Sequence, residues 1–122
     1  MVLVDTSVWV DHFRRGNTAL VDLLDEGRVL SHPFVVGELS CGNLKKREQI
    51  LQLLTSLSAV SVAEHDEALG LIRDERLYGR GLGWIDVHLL ASSRLAPCSL
   101  WTLDKALKAT AQHFRVATIE AR

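Results

Sequence analysis

Short apolar runs, each followed at once by residues with helical spacing, constrain the fold of this 122-residue chain more than any other feature. Val2, Leu3 and Val4 form the first run, and apolar residues then recur at helical spacing up to Gly16. Strands that alternate with helices are typical of a parallel sheet covered on both faces. We therefore predict an α/β protein with a single domain over residues 1–122, in which helices flank a central parallel sheet of about four or five short strands.

The individual elements follow from the apolar runs and from the caps and stops around them. Strands are predicted over residues 2–4, 28–31, 60–62, 98–102 and 115–118. Helices are predicted over 8–15, 17–27, 33–42 and 46–56, from a capping box at 61–64 to about 79–81, and over 84–95 and 105–114.

Composition excludes a disordered chain, because 48% of the residues are apolar and 24% are charged. The longest stretch without a charged residue, 50–63, is interrupted by glutamine, threonine and serine, whereas a membrane span needs about 20 predominantly apolar residues. Residues 1–5 lack the basic and long apolar regions of a secretory signal peptide. We therefore expect a cytoplasmic protein that does not cross a membrane.

Cysteine and histidine give no sign of a metal site of their own. Cys41 and Cys98 have no CxxC spacing and are predicted to be reduced, buried side chains. The five histidines lack the i, i+4 pairing of a zinc-binding helix. The formal net charge of −1 neither requires nor excludes a nucleic-acid partner.

Four carboxylates stand where the apolar pattern predicts a strand end or a largely buried helix. Asp5 and Asp104 follow predicted strands, and Glu38 and Asp86 interrupt apolar helical stretches. Each has an ordinary alternative as a helix cap, a first-turn acid or a solvent-facing side chain. Because functional groups of an open α/β sheet collect beyond the carboxyl ends of its strands, we expect all four to share one cleft.

Carboxylates that share a cleft repel one another and raise each other's pKa, and a bound cation removes that cost. Oxygen ligands without clustered histidine or cysteine favour Mg²⁺ or Mn²⁺ over Zn²⁺. Such an ion activates water and neutralises phosphate charge, which is the chemistry of phosphoryl transfer. Thr6, Ser7 and Thr102 flank the acids and either orient water and ligands or only cap helices and turns.

The remaining charges are compatible with a polyanionic substrate. Without the four acids, the chain has 11 acidic and 14 basic residues, a surplus of three positive charges. The candidate phosphate contacts are Arg14, Arg15, Lys45, Lys46, Arg47, Arg73, Arg76 and Arg80. Solvated helix faces are the alternative for each of them. The tryptophans are predicted to pack in the core, with base stacking as the alternative, and they are Trp9, Trp84 and Trp101.

The order of these motifs resembles the PIN-domain ribonucleases of the VapC toxin family. The motifs are Val-Leu-Val-Asp-Thr-Ser-Val-Trp at 2–9, Val-Gly-Glu-Leu at 36–39 with Gly42 shortly after, Gly-Trp-Ile-Asp-Val-His-Leu-Leu-Ala at 83–91 and Leu-Trp-Thr-Leu-Asp at 100–104. The resemblance implies an acidic pocket of Asp5, Glu38, Asp86 and Asp104, with Asp5 and Asp86 as direct Mg²⁺ ligands and Mn²⁺ as a substitute. It also implies that the Thr102 hydroxyl positions an acid or a water.

The resemblance also implies a function and partners. Similar proteins cleave single-stranded or looped RNA with a metal-activated water, leaving a 5′-phosphate and a 3′-hydroxyl. They are usually homodimers, encoded with a VapB-like antitoxin whose C-terminal segment blocks the pocket. Bulky Trp84 and His88 beside Asp86 depart from the family pattern, which leaves the pocket shape and the substrate fit open.

Two other functions remain open at this point. A non-catalytic module with the same fold would bind RNA or a protein partner through the basic residues, although four mutually repelling acids speak against it. A PIN nuclease of RNA maturation would use the same residues as a toxin, so the sequence separates these two poorly.

Overall fold

The computed structural model describes residues 1–117 and has an α/β fold, as predicted. In chain order its elements are β1 (Val2–Val4), α1 (Thr6–Arg15), α2 (Thr18–Asp25), β2 (Val29–Ser31), α3 (Pro33–Ser40), α4 (Arg47–Ser56), β3 (Ser58–Ala59), α5 (His65–Glu75), α6 (Trp84–Leu95), β4 (Ser99–Trp101) and α7 (Lys105–His113).

The four strands form one parallel sheet in the order β3-β2-β1-β4. Leu3 pairs with Leu30 on one side and with Leu100 on the other, so β1 lies at the centre. Ala117 adds an isolated parallel bridge to Leu100, where a strand over 115–118 was predicted, and Thr118 lies outside the described residues. The parallel pairing places the carboxyl ends of all four strands at the same edge of the sheet.

Helices cover the sheet, and the core lies between them and the strands. All three residues of β1 are buried, which explains the continuous apolar run at its position. Trp9 and Trp101 are the largest fully buried side chains, and the core cluster extends through Leu90 to Leu107. Each buried leucine or valine contributes roughly 1.5–3 kcal/mol to the free energy of folding. Over residues 1–117, no helix is long and apolar enough to cross a membrane.

Several helices begin at side chains that accept a hydrogen bond from the backbone of the first turn. The acceptors are Asp5 for α1, Asn17 for α2, His32 for α3 and Asp104 for α7. Such a cap satisfies an N–H group that has no partner within the helix. Two of these four caps, Asp5 and Asp104, are the acids at the strand ends, so the same side chains cap helices and line the predicted cleft.

Two predicted elements are wrong in their bounds. The strand predicted at 60–62 lies at Ser58–Ala59, because these residues pair with β2, and Val60 follows the strand as a buried core residue. The capping box predicted at 61–64 lies three residues later, where the Glu67 side chain accepts from the backbone N–H of Glu64.

The end of α5 also differs from the prediction. The helix ends at Glu75 rather than near 79–81, because Arg76 adopts the left-handed conformation and Leu77 turns into the core.

Three predictions of burial are wrong as well. Trp84 lies at the first position of α6 with 39% of its surface exposed, whereas the other two tryptophans are buried. Cys41 is exposed and Cys98 is half-buried, and neither forms a disulfide bond.

Candidate active site

The pairing of β1 with β4 brings the first and last predicted acids to the same edge of the sheet. Val4 pairs with Trp101, and the backbone N–H of Asp5 donates to the carbonyl of Trp101 at 2.9 Å. Asp5 and Thr102 therefore lie side by side directly after the paired strand ends. Asp104 follows at the start of α7.

Asp5 is held by two hydroxyl groups that donate to the same carboxylate oxygen. The Thr102 hydroxyl lies 2.7 Å from Asp5 Oδ2, and the Ser7 hydroxyl also lies 2.7 Å from it. Ser7 Oγ in turn accepts from the backbone N–H of Leu103 at 3.0 Å. These bonds fix the orientation of a carboxylate that is only 6% exposed. Ser7 flanks the acids in the sequence, but its bond to the β4–α7 connection has no signature there.

Asp104 is tied to the same group of side chains. Its backbone N–H donates to Thr102 Oγ1 at 3.0 Å, and its carboxylate caps α7 by accepting from the backbone N–H of Leu107 at 2.9 Å through Oδ2. Thr102 thus contacts Asp5 through its hydroxyl proton and Asp104 through its lone pair. The side chain of Asp104 is exposed at the edge of the cleft.

Glu38 enters from α3 and contacts the first residue of α1. Thr6 Oγ1 donates to Glu38 Oε1 at 2.5 Å. This hydrogen bond joins residues that are 32 positions apart and holds an exposed glutamate beside the helix that Asp5 caps.

Asp86 folds back onto the N-terminal end of α6. Its Oδ2 accepts from the backbone N–H of Gly83 at 2.9 Å, which places the carboxylate at the tip of the helix. Burial raises the pKa of Asp86, and the charges of Asp5, Asp104 and Glu38 raise it further, while the bond from Gly83 lowers it. All three other acids act on Asp86, so the structure brings the four predicted acids into one electrostatic neighbourhood.

Rings from two helices pack beside Asp86. The His88 ring lies 4.7 Å from the ring of Trp84, at 83°, and 4.7 Å from the ring of Phe34, at 70°. His88 is 3% exposed, and its Nδ1 is buried without a hydrogen-bond partner among residues 1–117. Through His88 and Phe34, the bulky pair at 84 and 88 therefore packs against α3.

Comparison with known proteins identifies this arrangement. The model of the PIN domain family matches residues 2–112. Ribonuclease VapC32 of Mycobacterium tuberculosis is 46% identical over 121 residues, which cover 98% of each chain. The chain is a PIN domain of the VapC family.

Solved structures agree with the fold of this PIN domain. PAE2754 from Pyrobaculum aerophilum matches with a TM-score of 0.69 at 16% identity, over 96% of this chain and 87% of that one. FitAcB from Neisseria gonorrhoeae matches with a TM-score of 0.65 at 18% identity, over 96% of this chain and 95% of that one. At these identities the similarity concerns the fold.

Each of the four acids at the edge of the sheet accepts hydrogen bonds through one carboxylate oxygen. The other oxygen has no protein donor in the part of the chain that the structure describes. The anchored atoms are Oδ2 of Asp5, Asp86 and Asp104 and Oε1 of Glu38. This leaves four fixed carboxylates with a free oxygen each. Such a donor set of hard oxygens without histidine or cysteine fits Mg²⁺ or Mn²⁺.

The spacing of the acids also bears on how an ion would be held. Within residues 1–117, no three His, Cys, Asp or Glu side chains are arranged closely enough to hold an ion together. Mg²⁺ keeps several waters and is bound directly by one or two carboxylates, so an ion here would have no more than two of these acids as direct ligands.

Proposed function

We propose that this PIN domain is a Mg²⁺-dependent endoribonuclease and the toxin of a toxin–antitoxin pair. One observation carries the proposal: four elements each present a carboxylate that has one anchored and one free oxygen at the same edge of the sheet. The identity to a protein named as a ribonuclease, over nearly the whole chain, supports RNA as the substrate.

In the proposed mechanism, Asp5 and Asp86 would hold Mg²⁺ directly, and Glu38 and Asp104 would hold it through its waters. When bound, the ion lowers the pKa of a water molecule and neutralises charge on the scissile phosphate. Thr102 and Ser7 hold the Asp5 carboxylate in one orientation through two hydrogen bonds to the same oxygen. Burial and then the charges of the other three acids raise the pKa of Asp86, and a bound cation would offset this penalty on the ionised form.

A groove beside the acids supports a VapB-like antitoxin as the partner. It has a volume of about 940 Å³, runs along α1, α3 and α4, and includes Thr6 and Glu38 of the acidic pocket in its lining. Apolar side chains such as Phe13 and Ile50 line it together with three cationic ones, Arg14, Lys45 and Lys46. An amphipathic antitoxin segment with acidic residues fits this lining and would reach the pocket from it.

A homodimer is proposed on the family resemblance and is checked by light scattering.

The nuclease is tested by cleavage of a mixed RNA pool with antitoxin-free protein, in Mg²⁺ and in EDTA. We expect cleavage only with Mg²⁺, and a loss on the order of 100-fold or more in Asp5→Asn and in Asp86→Asn, because replacement of supporting residues alone costs about 10- to 100-fold at metal sites. Mn²⁺ is expected to substitute for Mg²⁺.

Asp25→Asn is the matched control, since it makes the same chemical change at an exposed position of α2. Circular dichroism checks that all variants fold. Cleavage that persists in EDTA, or folded pocket variants that cut like the wild type, would contradict the proposal and favour the binding module.

A growth experiment separates the toxin from a nuclease of RNA maturation. Induction of the wild type is expected to arrest growth, induction of Asp5→Asn is not, and the product of the neighbouring reading frame is expected to restore growth. Growth that continues while the purified protein cuts RNA would favour the maturation nuclease.

A further inference from the structure

We propose that the exposed side chains of Arg76, Tyr78, Arg80 and Trp84, here called the 76–84 surface, bind the unpaired nucleotides next to the cleaved bond. The inference rests on the proposed nuclease function and assigns residues to its substrate. Tyr78 and Trp84 stack on bases, and the two arginines contact phosphates.

The position of the 76–84 surface connects it to two of the acids. It forms the connection from α5 to α6 and ends in the helical turn whose tip holds Asp86. A methyl group at Gly81 would lie 3.6 Å from the Cβ of Ala106, so the connection passes against the first turn of α7, which Asp104 caps. The surface therefore borders the cleft between Asp86 and Asp104.

In this connection a buried leucine lies between exposed polar and aromatic side chains. Leu77 is 3% exposed and fixes the connection to the core, whereas Tyr78 is 68% exposed. Gly79 and Gly81 have φ values of 71° and 79°, which glycine adopts without steric cost. Arg76 also has a left-handed φ of 54°, so the turn itself would be easier to form with glycine.

The two arginines of the surface are available for phosphates. Arg76 and Arg80 are exposed and form no ion pair within residues 1–117, whereas Arg73 pairs with Asp74 and Arg94 with Glu75. Among these four arginines, the two on the connection are thus unpaired within residues 1–117, and the two on the helices are paired. Guanidinium groups recognise phosphate through a fixed fork of donors.

Trp84 presents a rigid aromatic face to solvent. Its ring packs edge-on against His88, which packs against Phe34 on the next helix. The exposed His65 ring also lies 5.2 Å from the Trp84 ring. A ring held in this way loses little side-chain entropy when a base stacks on it.

Aromatic faces interleaved with cations are the features by which proteins bind single-stranded nucleic acid. Stacking needs a base whose face is free, so the 76–84 surface fits unpaired nucleotides rather than a duplex. A segment of RNA with its phosphate at the acids would place neighbouring bases over the Tyr78 and Trp84 rings. A protein segment as the occupant is an outcome of the test.

The test measures binding by fluorescence anisotropy in EDTA, with a labelled pool of short single-stranded RNAs of random sequence and the same pool as duplexes. Trp84→Ala and Tyr78→Ala are expected to weaken single-strand binding by about 5- to 100-fold each, as stacking energies imply. Trp84→Phe keeps an aromatic face and is expected to retain most of the affinity. Tyr78 is exposed, so its replacement does not endanger the fold.

The arginines are tested through the salt dependence of binding. Arg76→Gly is expected to lower the slope of log affinity against log salt by about 0.7, the value for one phosphate contact in a single strand, without lowering Tm. Arg28→Gln is the control, because Arg28 is exposed at the opposite edge of the sheet, before β2. Its slope and affinity are expected to match those of the wild type.

Wild-type affinity in both alanine variants, equal losses in Arg28→Gln, or a preference for duplex would overturn the inference, as would a wild type that binds no RNA. If RNA binding is unchanged but the variants lose the antitoxin, the surface belongs to a protein partner and the inference is likewise wrong. Cleavage in Mg²⁺ is measured separately. If the wild type cuts RNA and the variants bind RNA like the wild type, only this inference is wrong. If the wild type cuts no RNA but the variants bind RNA more weakly than the wild type does, only the nuclease proposal is wrong.

Discussion

A single hydroxyl group, that of Thr102, links two acids of the pocket. Thr102 is 2% exposed, and its Oγ1 donates to Asp5 Oδ2 at 2.7 Å while it accepts from the backbone N–H of Asp104 at 3.0 Å. The same atom lies 3.3 Å from Ser7 Oγ. In this low-dielectric position each missing partner leaves a polar group unsatisfied, and such groups cost about 1–3 kcal/mol each.

We expect Thr102→Val to lower the free energy of unfolding by about 1–3 kcal/mol and RNA cleavage by about 10- to 100-fold, because the valine fills the space without the hydroxyl. Thr102→Ser is expected to restore both. Urea unfolding and the cleavage assay measure the two effects. Thr110→Val is the control, since the hydroxyl of this buried threonine bonds only the carbonyl of Ala106 among residues 1–117, and the change should affect stability without a comparable loss of cleavage.

At the residue scale, the positions of the acids were predictable and their supports were not. Glu38 stands out in the sequence because it interrupts an apolar helical stretch, and Asp5 because it ends an apolar strand, and both are local signals. The bond from Ser7 to Leu103 joins residues that are 96 positions apart and depends on the pairing of β1 with β4. The exposure of Trp84 likewise depends on how α6 packs against α3. Its residue type alone predicted a core position.

Helix α3 begins at a buried histidine. His32 is fully buried, its Nδ1 accepts from the backbone N–H of Phe34 at 3.0 Å, and its Nε2 has no partner among the described residues. Burial, with a contribution from His88, lowers the pKa of His32 to about 4. The cap works only with the neutral ring, because protonated Nδ1 has no lone pair to offer.

The protonation of His32 predicts a loss of stability in acid. In the unfolded chain its pKa is 6.5, so the unfolded state binds the proton first, and stability falls as the pH drops from 6.5 to about 4. The shift corresponds to about 3 kcal/mol over this window. His32→Asn retains a capping oxygen and is expected to flatten the pH dependence of urea unfolding, although the lost ring lowers stability at every pH.

Phe34→Leu is the companion variant for this measurement. Its ring contacts His32, so it lowers stability without removing the titrating group, and the slope between pH 6.5 and 4 should persist. A slope that is unchanged in His32→Asn would contradict the assignment to His32.

At the element scale, helix α6 was predicted well, whereas a short edge strand and the end of α5 were not. The bounds of α6 match the prediction because its pattern is long and Pro97 stops it. Strand β3 has only two residues, and its position is set by pairing with β2. The strand was predicted too late in the sequence because Val60 and Val62 are the strand-favouring residues of this segment. Helix α5 ends where Arg76 turns left-handed, a conformation for which glycine is the usual signal.

The whole molecule concentrates negative charge at one edge of its sheet. The pKa of Asp86 is raised mainly by burial and then by the three other acids. Since the folded state disfavours the ionised form, this residue lowers stability as the pH rises from its ordinary pKa of 3.8 through its raised pKa. At neutral pH without metal, the pocket is therefore a source of instability.

Asp86→Asn is expected to have a Tm equal to or above that of the wild type in EDTA at neutral pH, and the difference should disappear in acid. Mg²⁺ should reverse the order, because an ion at 100 times its Kd adds about 2.7 kcal/mol to the wild type and less to the variant. Differential scanning calorimetry measures both, with Asp25→Asn as the control. A variant that is less stable than the wild type in EDTA would show that the ionised carboxylate is not penalised.

The connection between α5 and α6 has a consequence for how such a chain changes under selection. A glycine at position 76 would remove the backbone strain of the left-handed conformation, and an amide at position 86 would remove a half-buried, repelled charge. Substitutions that raise the thermal stability of this chain are therefore expected at the residues proposed to bind RNA and metal. A library sorted only for survival on heating would drift toward inert proteins. A library sorted for growth arrest would keep both residues and accumulate its stabilising changes elsewhere, so the contrast between the two pools would map the working surface without any knowledge of the RNA.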